Sequence, residues 1–135
     1  MHTAIHLMSF IVVLAPCVAM ADIVRHNEIP ESYRGTWAKE AALCAPGKGA
    51  IVLSAKTYVA PGANCTVVFV DETAGPKGAV FSARLSCTAG AEKAAKKSFT
   101  NLIIRPDKNG LAVGPTFSGL AAYQRCLSTE EETKR

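Results

Sequence analysis

The residues of this sequence that could perform acid–base chemistry are the carboxylates Asp71, Glu72, Glu92 and Asp107 and the histidine His26. A carboxylate pair can act as general acid and base in glycoside hydrolysis when one member keeps its proton near neutral pH. The local sequence points elsewhere. Asp71-Glu72 lead into a Gly75-Pro76-Lys77-Gly78 turn and Asp107 occupies a second turn, positions where acidic side chains cap backbone amides, while Glu92 sits among lysines that neutralise it in solvent. His26 is the one histidine beyond residue 21, and it falls in a polar lead-in, DIVRHNEIPES (22–32), read as flexible. Nucleophilic catalysis of the Ser-His-Asp or Cys-His kind needs a positioned imidazole, so no catalytic residue is expected.

Metal, nucleotide and nucleic-acid chemistry are disfavoured on similar grounds. No two cysteines are separated by two residues, as a redox pair or zinc knuckle requires, and one histidine cannot complete a ligand set; neither a metal nor a cofactor is expected. Gly47-Lys48-Gly49 and Gly75-Pro76-Lys77-Gly78 lack the glycine and Lys-Ser/Thr spacing of a phosphate cradle and read as hairpin connections. Arg84, Lys93, Lys96, Lys97 and Arg105 could accompany Tyr58, Phe69 and Phe99 as a stacking platform for single-stranded nucleic acid. Those aromatics lie in strand-like runs, where core packing is the default, so a solvated basic surface is expected and nucleic acid is not an expected partner. The formal net charge of +4 favours solubility without choosing a partner.

These residues must be positioned by a small exported domain. Ile5 to Met20 is an apolar run without Lys, Arg, Asp or Glu, ending in Ala19-Met20-Ala21, a motif that signal peptidase accepts. Residues 1–21 are therefore read as a signal peptide and 22–135 as one domain in the periplasm or outside the cell. Pro16 cuts the run short of the roughly 20 apolar residues a membrane span needs, so no stable span is expected after cleavage. Cys17 follows Pro16, a poor neighbour for lipid attachment, and is discarded with the signal. Cys44, Cys65, Cys87 and Cys126 remain, an even number in a short exported chain, which reads as two disulfides. Sequence permits three pairings. If the runs around the 75–78 turn form a hairpin, Cys65 and Cys87 lie nearly opposite, which leaves Cys44 for Cys126.

Beyond residue 49 the chain is a series of short β-branched and aromatic runs: Ala50–Ser54, Lys56–Val59, Cys65–Val70, Ala79–Thr88, Phe99–Arg105, Leu111–Val113 and Ala121–Cys126. The fourth is clearest, with Ala79, Phe81, Ala83, Leu85 and Cys87 on one face. Pro61-Gly62, Asn109-Gly110 and Gly114-Pro115 separate runs, residues 89–97 read as a charged connection, and 128–135 as a solvated tail. Before them, Tyr33 and Trp37 flank Gly35, and Lys39–Leu43 could make one helical turn. The expected fold is all-β: a small antiparallel barrel or sandwich of about six to eight strands, by the turn spacing.

Gly35-Thr36-Trp37-Ala38, the four cysteines and the closing Tyr123-Gln124-Arg125-Cys126 resemble a group of small exported proteins of alphaproteobacteria. The Gly-x-Trp start is also similar to that of lipocalin-like folds, including exported proteinase inhibitors of the Inh type. That resemblance implies a small barrel and a periplasmic location. The cysteine count exceeds the single disulfide of those inhibitors, and no reactive segment aligns, so no inhibitory residue carries over. Tyr33, Trp37, Tyr123 and Arg125 are the candidate core or interface anchors, with Arg125 lying across the Trp37 ring as a cation–aromatic pair. The functional expectation is a non-enzymatic exported binding or inhibitor-like domain acting on an envelope protein or ligand. A small-ligand carrier with an apolar cavity is the alternative, and a carboxylate hydrolase ranks third.

Overall fold

A computed structural model describes residues 15–16, 22–45, 47–89 and 96–127. Apart from Ala15 and Pro16, the expected signal segment with Cys17 lies outside the described residues, as do Glu92, Lys93 and the 128–135 tail. The described chain folds into nine strands: β1 (Val24–His26), β2 (Gly35–Ala38), β3 (Ile51–Leu53), β4 (Thr57–Ala60), β5 (Ala63–Thr73), β6 (Val80–Ala89), β7 (Lys96–Asp107), β8 (Gly110–Gly114) and β9 (Ala121–Arg125). Short 3-10 turns at Glu31–Tyr33, Ala41–Cys44 and Phe117–Gly119 are the only helical elements among the described residues.

From β2 to β9 every strand pairs antiparallel with the next, and β9 returns to pair with β2, so eight strands close into an up-and-down barrel. Closure removes the exposed edges that an open sheet of this size would present. β1 is the addition, pairing Val24–His26 with Glu72–Val70 on the part of β5 that runs past β4. The expectation of an all-β barrel or sandwich is met as a barrel.

Side-chain alternation fills its interior. Phe81, Ala83 and Leu85 of β6, Leu102 and Ile104 of β7, Leu111 and Val113 of β8 and Ile51 and Leu53 of β3 are all buried. On β5, Cys65 and Val67 are buried on odd positions and Val70 on an even one. A β-bulge between Val67 and Phe69 makes the phase change. Val68 is the surplus residue, and it is left exposed. The bulge also turns β5 from its partnership with β4 toward β1. Pro61-Gly62 makes the tight β4–β5 turn, with Gly62 at φ 74°, a conformation that costs glycine nothing.

Three expectations are corrected. The 22–32 lead-in is ordered: β1 sits on β5 because Arg25 faces Asp71 and His26 faces Val70 across the pair, so opposite charges far apart in sequence select the register. Asp71 and Glu72 belong to β5, not to a turn. Phe99 is 61% exposed and is not a core aromatic, because it points outward from the part of β7 in which 96–101 are all exposed.

Candidate binding site at the open end of the barrel

The meander gives the barrel two unlike ends. One receives the turns at 54–56, 74–79 and 108–109 and is crossed by the segment entering β2. Ile29 plugs it. Its side chain is fully buried and its amide donates to the Ala55 carbonyl at 2.8 Å. Arg34 holds the segment in place, donating to the Ile29 carbonyl at 2.9 Å and to Glu28 at 3.0 Å. Tyr33 packs edge-on against Phe81 with ring centroids 5.4 Å apart, and the Trp37 indole N–H donates to the Tyr33 carbonyl at 2.9 Å.

Arg125 completes this seal. Its guanidinium carbon lies 4.2 Å from the Trp37 ring centroid, and its two terminal nitrogens donate to the carbonyls of Arg34 at 2.8 Å and Ser32 at 2.7 Å. The anticipated Arg125–Trp37 stack is present, and the two carbonyl contacts explain why a guanidinium occupies the position: its planar fork serves both acceptors while one face covers the indole. Gly35 is needed alongside, because a Cβ there would lie 2.7 Å from the Arg125 Nη1 at a backbone φ of 134°.

The seam between β2 and β9 is short, with register pairs at Trp37–Arg125 and Ala38–Gln124. The Ala41–Cys44 turn folds back along it, and Cys44 bonds Cys126 with their Cα atoms 5.6 Å apart. The second disulfide joins Cys65 and Cys87, directly opposite on β5 and β6, with Cα atoms 4.0 Å apart. Both expected pairings are present.

The other end of the barrel receives the connections 39–50, 61–62, 90–95 and 115–120; residues 46 and 90–95 lie outside the described residues, and among the described residues no segment crosses this end. It opens into a cleft of about 330 Å³, within the size range of small-molecule sites though near its lower bound. Leu85, fully buried, forms the floor with Leu102 and Val113; Ala121 lines the wall, and Tyr58, Tyr123, Thr100 and Lys39 bring the polar atoms. Lys39 follows directly on β2 as an exposed residue at the rim of the cleft, and its ammonium lies 5.9 Å from the Tyr123 ring centroid. Burial pushes the Tyr58 phenol above its ordinary value of 10.0, and the nearby Tyr123 adds to the shift. Among the described residues, Lys39, Tyr58 and Tyr123 have no side-chain hydrogen bond or ion pair.

A larger cleft, about 500 Å³, flanks the plugged end between Arg25, Arg34, Glu72 and Phe81. Its charges are already committed: Arg25 to Asp71 at 2.7 Å, His26 to Glu72 at 2.6 Å and Arg34 to Glu28 at 3.0 Å. A ligand would have to break those pairs, whereas the donors at the open end have no side-chain partner among the described residues. The hydrogen bond from Arg25, reinforced by its charge, holds the Asp71 carboxyl below the usual carboxylate range, the direction opposite to that of a general acid. Asp71 and Glu72, adjacent on a strand, also point to opposite faces.

Of the sequence-selected anchors, Trp37 and Tyr33 belong to the plug, Arg125 to the seal, and Tyr123 to the open end. Sequence reasoning missed Lys39 and placed Tyr58 with the core aromatics. Lys39 follows Trp37 by two positions, the period of a strand, and that spacing was the available signal. Comparison with known proteins finds no matching family, no matching curated protein and no matching solved structure.

Proposed function

We propose that this is an exported, non-enzymatic binding protein that takes a small, largely apolar ligand in the open end of its barrel. The asymmetry of the ends carries this reading: one is plugged by Ile29, Tyr33 and Trp37, and the other is a cleft with an apolar floor and unpaired polar groups at its wall. Two disulfides fit an oxidising compartment, and the Ala19-Met20-Ala21 motif supports export to the periplasm or beyond. The closed eight-stranded barrel is compatible with the resemblance of the Gly35-x-Trp37 start to lipocalin-like folds. A catalytic role gains no support from Asp71, which is ion-paired with Arg25, or from Glu72, which is bonded to His26.

The neutral fluorophore N-phenyl-1-naphthylamine tests the reading without prejudging charge. Saturable binding at one site per chain is expected, and Thr100→Trp, which fills the cleft from an exposed position, should abolish it while the far-ultraviolet circular dichroism stays unchanged. Absence of saturable binding, or binding indifferent to Thr100→Trp, refutes it.

One observation favours a second reading, an inhibitor-like contact with a protein: Phe117, on the connection beside the open end, is 65% exposed. Such a contact would use Phe117 as an anchor. Phe117→Ser should then abolish association with a partner while leaving fluorophore binding intact.

A further inference from the structure

We infer that the open-end cleft is selective for small monocarboxylates, with the ligand's apolar body on Leu85, Leu102 and Val113 and its carboxylate received by Lys39 and the phenols of Tyr58 and Tyr123. This rests on the reading of that end as the binding site and adds the chemical class of the ligand.

Among the described residues, the cleft's lining contains one cation, Lys39, and no carboxylate. An exposed ammonium at the rim of an apolar cleft, without an ion-pair partner among the described residues, favours an anion, because the attraction strengthens as a bound ligand displaces solvent. Tyr58 and Tyr123 carry phenol groups that both donate and accept, and neither is used by a described side chain. Burial keeps the Tyr58 phenol protonated well into the alkaline range, so at neutral pH it can donate.

Charge then narrows the class. A monoanion is matched by the single ammonium, while a phosphate dianion would leave one charge uncompensated against the apolar floor. A carboxylate presents two acceptor oxygens, enough for an ammonium on one side and a phenol on the other. The cleft volume of about 330 Å³ limits the apolar body to a chain of medium length or about two to three rings. Arg25, Arg34 and Arg125 are bound to protein acceptors; of the described cations that have none, Lys39 is the one that lines this cleft.

Octanoate, 1-octanol and octylammonium share one chain and differ in their head group, so calorimetric or fluorophore-displacement titration of all three separates body from head. Octanoate should bind at least about tenfold more tightly than octanol, with octylammonium weakest, a preference of the size expected for a charge-assisted contact. Lys39→Gln, at an exposed position, should erase the octanoate preference and leave octanol unchanged. Tyr58→Phe should weaken octanoate by a smaller factor. Equal binding of octanoate and octanol, or a Lys39→Gln protein that keeps the preference, overturns the carboxylate assignment and leaves the open-end site standing. Failure of all three octyl compounds while N-phenyl-1-naphthylamine binds also overturns it. Failure of the fluorophore as well removes both readings.

Discussion

Replacing Arg125 with methionine tests how the barrel is closed. Methionine keeps an apolar stem over Trp37 but deletes two charge-assisted hydrogen bonds, to the Arg34 carbonyl at 2.8 Å and the Ser32 carbonyl at 2.7 Å, and the cation above the indole. A hydrogen bond to a charged group contributes about 1.5 kcal/mol at the lower end of its range, which suits an exposed side chain. The cation–aromatic contact adds about 0.5 kcal/mol at such a site. Partial solvation of the guanidinium reduces the sum, so a loss of about 2–3 kcal/mol is expected. Trp37 is the only tryptophan and lies under the guanidinium, so its fluorescence reports the seal during urea unfolding. With a denaturant slope of about 2 kcal/mol/M, the midpoint should fall by about 1–1.5 M at constant slope. Arg125→Lys should recover less than half, since one ammonium cannot reach both carbonyls and also stack. A midpoint that moves by less than about 0.2 M in Arg125→Met would refute the seal.

Other consequences follow from the same geometry. Gly35→Ala should cost about 1–3 kcal/mol, from the positive φ and the contact with Arg125 Nη1, and less when Arg125→Met removes that neighbour; a double-mutant cycle by urea unfolding measures the difference. Removing Cys44–Cys126, which spans 82 positions, should cost about 4.5 kcal/mol by chain entropy, against about 3.4 for Cys65–Cys87, which spans 22; paired serine variants give the order by thermal unfolding. The Tyr58 pKa is raised in the fold, so its contribution to stability is complete below the unfolded value of 10.0 and is lost as pH rises through the folded value. Ultraviolet titration should show a late phenol that Tyr58→Phe removes. Asp71 has the opposite sign: its contribution holds above the ordinary carboxylate pKa and fades as pH falls through the lowered folded value, so Asp71→Asn should weaken the acid dependence of unfolding.

The parts of the fold that were legible in the sequence are those written in local pattern. Ala79 to Cys87 alternates strictly, and β6 buries Phe81, Ala83 and Leu85 as that alternation predicts. The disulfide pairing followed from one hairpin, because Cys65 and Cys87 flank its turn almost symmetrically. The Arg125–Trp37 stack was also within reach, since a cation near the end and a lone indole near the start are brought together by closing a meander. What sequence could not supply was pairing between distant segments. β1 has three residues and no periodicity, and it is recognisable only beside Asp71 and Glu72. Phe99 has the composition of a core residue, but its face of β7 turns outward. Tyr58 and Lys39 became site residues only once closure showed which end of the barrel was plugged.

The site at the open end is tested most directly by amide chemical-shift mapping of the labelled protein with N-phenyl-1-naphthylamine at saturation. The largest shifts should cluster at Tyr58, Thr100, Leu102, Val113 and Tyr123, leaving Ile29, Tyr33 and Phe81 unmoved. Shifts centred on Ile29, Tyr33 and Phe81, or scattered shifts that never saturate, would contradict it.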